Sequence, residues 1–358
     1  MKLIIRYLYK EFFTFFFISL ITFLVIYMAV DFFGKIDNFL EANVPLKVAL
    51  SYFLYKIPLS IQQLIPVSVL ISVMLMLGIM NKHNEILAMR NCGRSLFNIS
   101  SPIIAIAMLT GIGCFFLSES IVPITSAMAN NIWNVQVEKS DPQGAYKLSH
   151  LWYRGRGSIY QIRAYDSRRH VIEGFSVFFL DKDFKLTKRI DARKATWINN
   201  RWHLNDGLIQ EIEPGGSRKS IRFTNHTIQL PENPENFKDP MKAPEEMSFW
   251  ELRKYTRKIR EEGYDSTRCQ VDLYIKIAFP FICPILTLVG IPLALRRKKG
   301  GIPLSITIGI GLSFLYLLTF GLSRSLAISG ALPPLLGAWI TNLLFSLFGV
   351  CLMLVEEI

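Results

Sequence analysis

Phe12–Val30, FFTFFFISLITFLVIYMAV, is nineteen residues without a charge, a proline or a glycine. A hydrocarbon core about 30 Å thick is crossed by roughly 20 apolar helical residues, so this run reads as a membrane span. Lys2, Arg6 and Lys10 precede it and Asp31-Phe32-Phe33 follows it. Basic residues before an apolar run also begin secretory signal peptides. This run is too long for their apolar region, and no small-x-small cleavage site follows, so it reads as an uncleaved first span. Five more uncharged runs lie at 57–81, 95–118, 277–295, 300–323 and 325–355. They are grouped three and three around a polar stretch from about 123 to 268. The expected fold is a membrane α-helical bundle of six transmembrane helices (3+3) with an inserted all-β, jelly-roll-like domain. Residues 1–122 carry spans one to three, 123–268 the insert, and 269–358 spans four to six.

The 51% hydrophobic content and 26 Phe fit a chain whose apolar residues cluster in blocks. The net charge of +12 raises a nucleic-acid reading, which the placement of the charges argues against. One set of short segments carries Lys2, Arg6, Lys10, Lys82, Arg90, Arg94, Arg296, Arg297, Lys298 and Lys299. The opposite set carries Lys35, Lys47, Lys56 and Arg324. This asymmetry puts both termini and the loops near 82–94 and 296–299 in the cytoplasm, and the insert outside it. Cys92, Cys114, Cys269, Cys283 and Cys351 are scattered and suggest neither a disulfide framework nor a zinc site.

Residues 45–56, PLKVALSYFLYK, are amphipathic and are expected at the outer interface before the second span. Pro58, Pro66, Pro280, Pro284 and Pro292 fall in spans, where prolines often mark bends. In the insert, β-type runs at 158–165, 174–180, 220–223 and 226–230 alternate with turn-like pieces. Those pieces are Asp181-Lys-Asp183, Asn199-Asn200, Asn205-Asp-Gly207 and Pro214-Gly-Gly216. Such spacing predicts a sandwich or jelly roll. A proline-rich linker follows at 231–244. Ser248-Phe-Trp-Glu251 then has the form of a capping box opening a helix that Gly263 would close. Phe249, Leu252, Thr256 and Ile259 would form its apolar stripe.

Chemistry of the common catalytic kinds is missing from the pattern. Gly34-Lys35-Ile36 lacks the rest of a phosphate-binding loop, and neither H-E-x-x-H nor G-x-S-x-G occurs. Asp31, Glu119 and Asp272 stand at the ends of spans rather than deep inside them, which disfavours an ion-driven transporter. No cofactor is expected. A transport protein of this kind would need an external source of energy.

Between the second and third spans runs NEILAMRNCG (84–93). Glu85, Met89 and Cys92 share a helical face there, and Gly93 is a natural stop. A short helix with one carboxylate among apolar residues suits docking into a groove on a soluble partner. A surface loop whose basic residues merely set topology fits the same residues, and periodicity alone favours that plainer reading.

Further stretches carry a resemblance. They are FLDKDFKLTKRIDARKATW (179–197) with Trp202, SFWELRKYTRKIREEGYDSTRCQVDLYIK (248–276), GIPLALRRKKGGIPLSI (290–306) and SGALPPLLGAW (329–339). With NEILAMRNCG and the three–domain–three layout, the whole chain resembles the lipopolysaccharide-export permeases, the LptF/LptG or YjgP/YjgQ family. The ALPP motif and the connecting helix lean towards its LptG branch.

The resemblance implies a transporter subunit of the Gram-negative inner membrane, without enzymatic activity, whose insert is a periplasmic β-jelly roll. ATP would be used by a separate cytoplasmic ABC ATPase dimer (LptB). A second permease of the family would complete a heterodimer, and periplasmic bridge proteins (LptC, LptA) would receive lipopolysaccharide. Glu85 would sit in the ATPase groove, with Met89, Arg90 and Gly93 shaping the same helix. Spans one and five would form the lateral gate. Lys35, and with less support Arg324, would meet lipid phosphates, a placement suited to cations at headgroup level. Ordinary interfacial snorkelling accounts for Lys35 equally well. The rival functions are a membrane-anchored receptor or assembly factor whose β domain binds a partner, and a lipid-modifying enzyme.

Overall fold

The computed structural model describes residues 2–93, 95–138, 151–154, 158–166, 171–181, 186–198, 201–212, 218–230, 243–261, 265–296 and 301–357. The chain begins with helices α1 (Lys2–Glu41), α2 (Leu46–Lys82), α3 (Glu85–Asn91), α4 (Leu96–Ser120) and α5 (Val122–Ile132). A π turn, Trp133–Val137, ends this group. Strands β1 (Leu151–Arg154), β2 (Ser158–Asp166), β3 (Val171–Leu180), β4 (Leu186–Ile198), β5 (Arg201–Ile212) and β6 (Arg218–Ile228) follow. The chain closes with α6 (Phe249–Glu261), α7 (Thr267–Ala278), α8 (Ile282–Leu295), α9 (Gly301–Ile328) and α10 (Pro334–Glu357).

Six stretches among the described residues are long and apolar enough to cross a membrane: Leu3–Glu41, Leu46–Lys82, Leu96–Ser120, Thr267–Leu295, Pro303–Ile328 and Pro334–Val355. They are not equally enclosed. The apolar windows of the second and fourth are 67% and 61% buried inside the protein, against 17% for the first and 22% for the fifth. α2 and α8 therefore form the centre of the bundle, through Val69, Leu70, Val73, Leu77, Leu286 and Val289. α1 and α9 lie on its flanks and leave Phe17, Ile21, Val25, Phe314 and Leu317 uncovered.

Lipid competes for apolar side chains as well as protein does, so close backbone approach and interhelical hydrogen bonds carry the packing. A Cβ on Gly111 of α4 would stand 2.2 Å from the Pro280 carbonyl oxygen, and one on Gly290 2.6 Å from Leu70 Cδ1. Pro280 lies in a 3-10 turn, Phe279–Phe281, that breaks the fourth span between α7 and α8. Asn342 Nδ2 donates to the Ala278 carbonyl at this break over 3.0 Å, and Tyr316 Oη donates to Asn342 Oδ1. At the other end, Asn81 Nδ2 donates to the Leu295 carbonyl over 3.0 Å.

Several boundaries differ from those expected. Residues 45–56 are no separate interfacial segment but the first turns of α2, continuous to Lys82. Their apolar side, Ala49, Tyr52 and Phe53, packs on Phe39 because α1 runs on to Glu41. The run 325–355 is broken at Gly330 (φ +81), so its first residues finish α9 and the last span starts at Pro334. Pro58 and Pro66 lie inside an unbroken α2.

The insert contains the expected β domain, formed by a six-stranded antiparallel sheet with strands in chain order β1 to β6. The pairings among described residues are those of a meander, without the crossovers of a Greek-key jelly roll. β4 and β5 were not marked as strands by sequence pattern, and the two runs at 220–223 and 226–230 join into β6. Asn205-Asp206-Gly207, expected as a turn, lies inside β5; Asn205 and Gly207 pair with β4 and β6, while Asp206 takes φ 51. Asn199-Asn200, Pro214-Gly-Gly216 and Gly263 lie outside the described residues. One face of the sheet closes over Tyr160, Phe175, Val177, Ile190, Trp202 and Leu204. Tyr160, Phe175 and Trp202 stack in series, with ring centroids 6.1 and 5.9 Å apart.

A kink line runs across the sheet. Inward positions normally recur every two residues, yet Ile172 and Phe175 are both buried, as are Ala192 and Ala195. At this level two consecutive residues face outward on each of three strands: Arg193-Lys194, Asn205-Asp206 and Thr224-Asn225. Gly174 takes φ +67 on the same line. The flanking pairs Ile162↔Phe175 and Ala164↔Glu173 place Arg163 opposite Gly174, where a side chain would meet Arg163 Cβ at 2.8 Å.

The Gly111 contact yields a paired test. Gly111→Ala should destabilise the detergent-solubilised protein by about 2 kcal/mol, a common cost of overpacking. Gly113→Ala, which faces nothing within 4 Å, should leave the thermal unfolding midpoint unchanged.

Candidate functional site

The first candidate site is α3. Asn84, in the left-handed region (φ 59), turns the chain from α2 into α3, and Gly93 (φ +80) ends it. Asn is among the few residues with a side chain that enter this region readily, and Gly does so without steric cost. The helix is fixed from beneath by Ile86, which is buried, and by half-buried Met89, both packed on the bundle core. Half-exposed Glu85 accepts a hydrogen bond from Tyr7 Oη of α1 over 3.0 Å, and His83 Nδ1 lies 4.0 Å from the carboxylate. Leu87, Arg90 and Cys92 face outward. A cavity of about 260 Å³ opens below, between α1, α3 and α4, lined by Ile4, Leu8, Met89, Ile99 and Pro102. Glu85, Met89 and Arg90 are thus held on one short helix, with Gly93 just beyond its end. Tyr7 is the member that sequence reasoning missed, because a pair 78 positions apart leaves no local signal.

Lys35 stands at the opposite end of α1. Its Nζ donates to Tyr52 Oη over 2.6 Å, lies 5.0 Å from the Trp133 ring centroid and pairs with Asp31 at 3.5 Å. Lys56 pairs with the same carboxylate at 2.6 Å. Two cations against one carboxylate leave a local excess of positive charge, and the Lys35 side chain keeps 28% exposure. Rings that face an ammonium group stabilise it through their quadrupoles.

Arg324, on α9, belongs to a different cluster. Its Nη2 donates to Asp272 Oδ1 over 2.7 Å, and the Asp272 side chain is only 6% exposed. The pair borders a cavity of about 180 Å³ with Gln62, Ser118, Lys276 and Phe320. Lys276 Nζ donates to the Met247 carbonyl over 2.7 Å, and Glu119 Oε2 accepts from the Phe249 amide over 2.7 Å. Ser248 and Glu251 close the expected capping box: the Ser248 amide donates to Glu251 Oε2 over 3.0 Å, and the Glu251 amide to Ser248 Oγ over 3.2 Å. Leu252, Thr256 and Ile259 of α6 are buried. Side chain and amide of Thr267 bond Asp265 at the start of α7, which holds that carboxyl below its ordinary range. Among the described residues no group of three or more His, Cys, Asp or Glu could hold a metal ion.

Residues 6–355 match the family described as lipopolysaccharide export system permease LptF/LptG. The chain belongs to that family. Among proteins similar to this permease is the lipopolysaccharide export system permease protein LptG of Haemophilus influenzae. It is 23% identical over 304 residues, 81% of this chain and 80% of that protein. LptG of Escherichia coli (strain K12) is 20% identical over 318 residues, 85% of this chain and 84% of its own length. The match runs through α3, the sheet and both three-helix groups of the permease, so the sites above lie within the shared pattern.

The Arg324–Asp272 pair separates a structural from a ligand role. Removing Arg324 strands the enclosed Asp272 carboxylate, but the Arg324 side chain is 41% exposed and screened by solvent, so the cost is about 1–2 kcal/mol rather than that of a fully buried pair. Arg324→Ala should therefore lower the thermal unfolding midpoint of the permease by a few degrees. Adding Asp272→Asn to it should recover most of the loss. A single Arg324→Ala variant as stable as wild type would remove the structural role.

Proposed function

We propose that this chain is the transmembrane permease subunit of an exporter that extracts lipopolysaccharide from the inner membrane of a Gram-negative cell. In this reading both termini and α3 are cytoplasmic and the sheet is periplasmic. A separate cytoplasmic ABC ATPase dimer supplies the energy, a second permease of the family completes the complex, and periplasmic β-jelly-roll proteins receive the lipid. The observation that carries the reading is α3: a seven-residue helix at the basic end of the bundle, with Leu87 and Arg90 outward and Glu85 bonded to α1.

Each side chain has a role in this scheme. Glu85 enters the ATPase groove, and Leu87 and Arg90 present the docking surface beside it. Ile86 and Met89 seat the helix on the core, so that a push on it reaches the bundle. Gly93 frees the chain to turn into the third span. Tyr7 passes the displacement to α1, one of the two spans least enclosed by protein. The exposed apolar flanks of α1 and α9 form the lateral gate and face the second permease. At the outer end, the positive excess around Lys35 and Lys56 meets lipid phosphate, and the Arg324 cluster lies close to the passage.

Co-expression with candidate partners followed by purification in detergent tests this. Wild type should retain the ATPase and Glu85→Ala should lose it. Tyr7→Phe should retain it but release lipopolysaccharide several-fold more slowly, since the docking face remains and the link to α1 is gone. A folded wild-type protein that retains no ATPase would place a receptor without transport first.

A further inference from the structure

The kink line across the sheet forms an open groove of about 1230 Å³ on the face away from the aromatic core. Its lining is mostly polar, so it does not suit an acyl chain. Arg163, Arg189, Arg193, Lys194 and Arg222 line it, against three carboxylates, Glu173, Asp191 and Asp206. Arg189 is committed: its Nε lies 2.8 Å from Asp191 Oδ2, its Nη2 donates to Oδ1 over 3.0 Å, and Ser176 Oγ donates to the same oxygen over 2.6 Å. The other four cations are exposed, and among the described residues none of them forms an ion pair. They come from β2, β4 and β6, so the charge spans the sheet rather than following one strand.

We infer that this groove is a binding site for a phosphorylated oligosaccharide. Guanidinium groups grip phosphate oxygens through paired, charge-assisted hydrogen bonds. The polar groups between them, Asn205, Asp206 and Thr224, offer the acceptors and donors that sugar hydroxyls require. The outward doubling at the kink is what brings Arg193 and Lys194 onto one face, since a regular strand would send them to opposite faces. The ligand's relevance to export rests on the reading above, in which the cargo is lipopolysaccharide. Binding itself does not depend on that reading.

The test uses the full chain in lipid nanodiscs, without ATPase, titrated with deacylated, phosphorylated core oligosaccharide. Saturable binding that weakens with added salt is expected. Arg193→Ala and Arg222→Ala should each raise Kd about tenfold. Arg193→Lys should fall between wild type and Arg193→Ala, because it keeps the charge and loses the paired hydrogen bonds. An unchanged thermal unfolding midpoint in all three excludes misfolding as the cause. Enzymatic dephosphorylation of the oligosaccharide should abolish binding, and inorganic phosphate alone should bind far more weakly. No saturable binding, equal affinity for the dephosphorylated glycan, equal affinity for inorganic phosphate, or insensitivity to both alanine variants would overturn the inference. So would an acidic peptide that binds through these arginines in preference to the saccharide. ATPase retention by the same variants separates a failed groove from a failed export reading.

Discussion

Inside hydrocarbon a backbone amide or carbonyl finds no water, and this constraint organises the bundle. The six spans meet it with helical hydrogen bonds. Where the fourth span breaks at Phe279–Phe281, Asn342 supplies the donor that the Ala278 carbonyl accepts. The break in turn lets Gly111 approach the Pro280 carbonyl, which brings α4 against the centre. A span interrupted by a 3-10 turn thus serves as a packing centre for its neighbours.

Burial is distributed to match. α2 and α8 are enclosed by protein, while α1 and α9 keep apolar flanks open. In the function proposed above, an enclosed centre with part-exposed flanks would pass force without dissolving its core, because moving a flank exchanges protein contacts for lipid contacts of similar strength. The links at the two ends are polar and specific. Tyr7–Glu85 joins α1 to α3, and Glu119 and Lys276 fasten the segment entering α6. Both depend on groups that lose their hydrogen bonds if the geometry slips.

The spans were legible because a bilayer demands long uncharged runs, and the α6 start because a capping box is a four-residue signal. The extension of α1 and α2 beyond hydrocarbon length was hidden, since Phe39, Tyr52 and Phe53 become a core only when the two helices lie together. β4 and β5 were hidden for a related reason. Their inward positions break the period of two at the kink, and Asn205-Asp206-Gly207 carries turn residues inside a strand. At the candidate sites, residues close in sequence could be grouped from pattern, as Glu85 with Met89 and Arg90 were. Their partners Tyr7, Asp272 and Trp133 lie far along the chain and are known only from three-dimensional contact.

The unbroken length of α1 has a mechanical consequence. Forty residues at 1.5 Å each make a rod about 60 Å long, roughly twice the hydrocarbon thickness. Such a rod converts a tilt of about 5° into a sweep of about 5 Å at its far tip. Tyr7 ties α1 to α3 near one end, and Phe39 packs on Tyr52 and Phe53 near the other, so one rigid element joins the two ends of the bundle. In the function proposed above, a push on α3 would reach the surroundings of Lys35 along this strut with no helix needing to unfold.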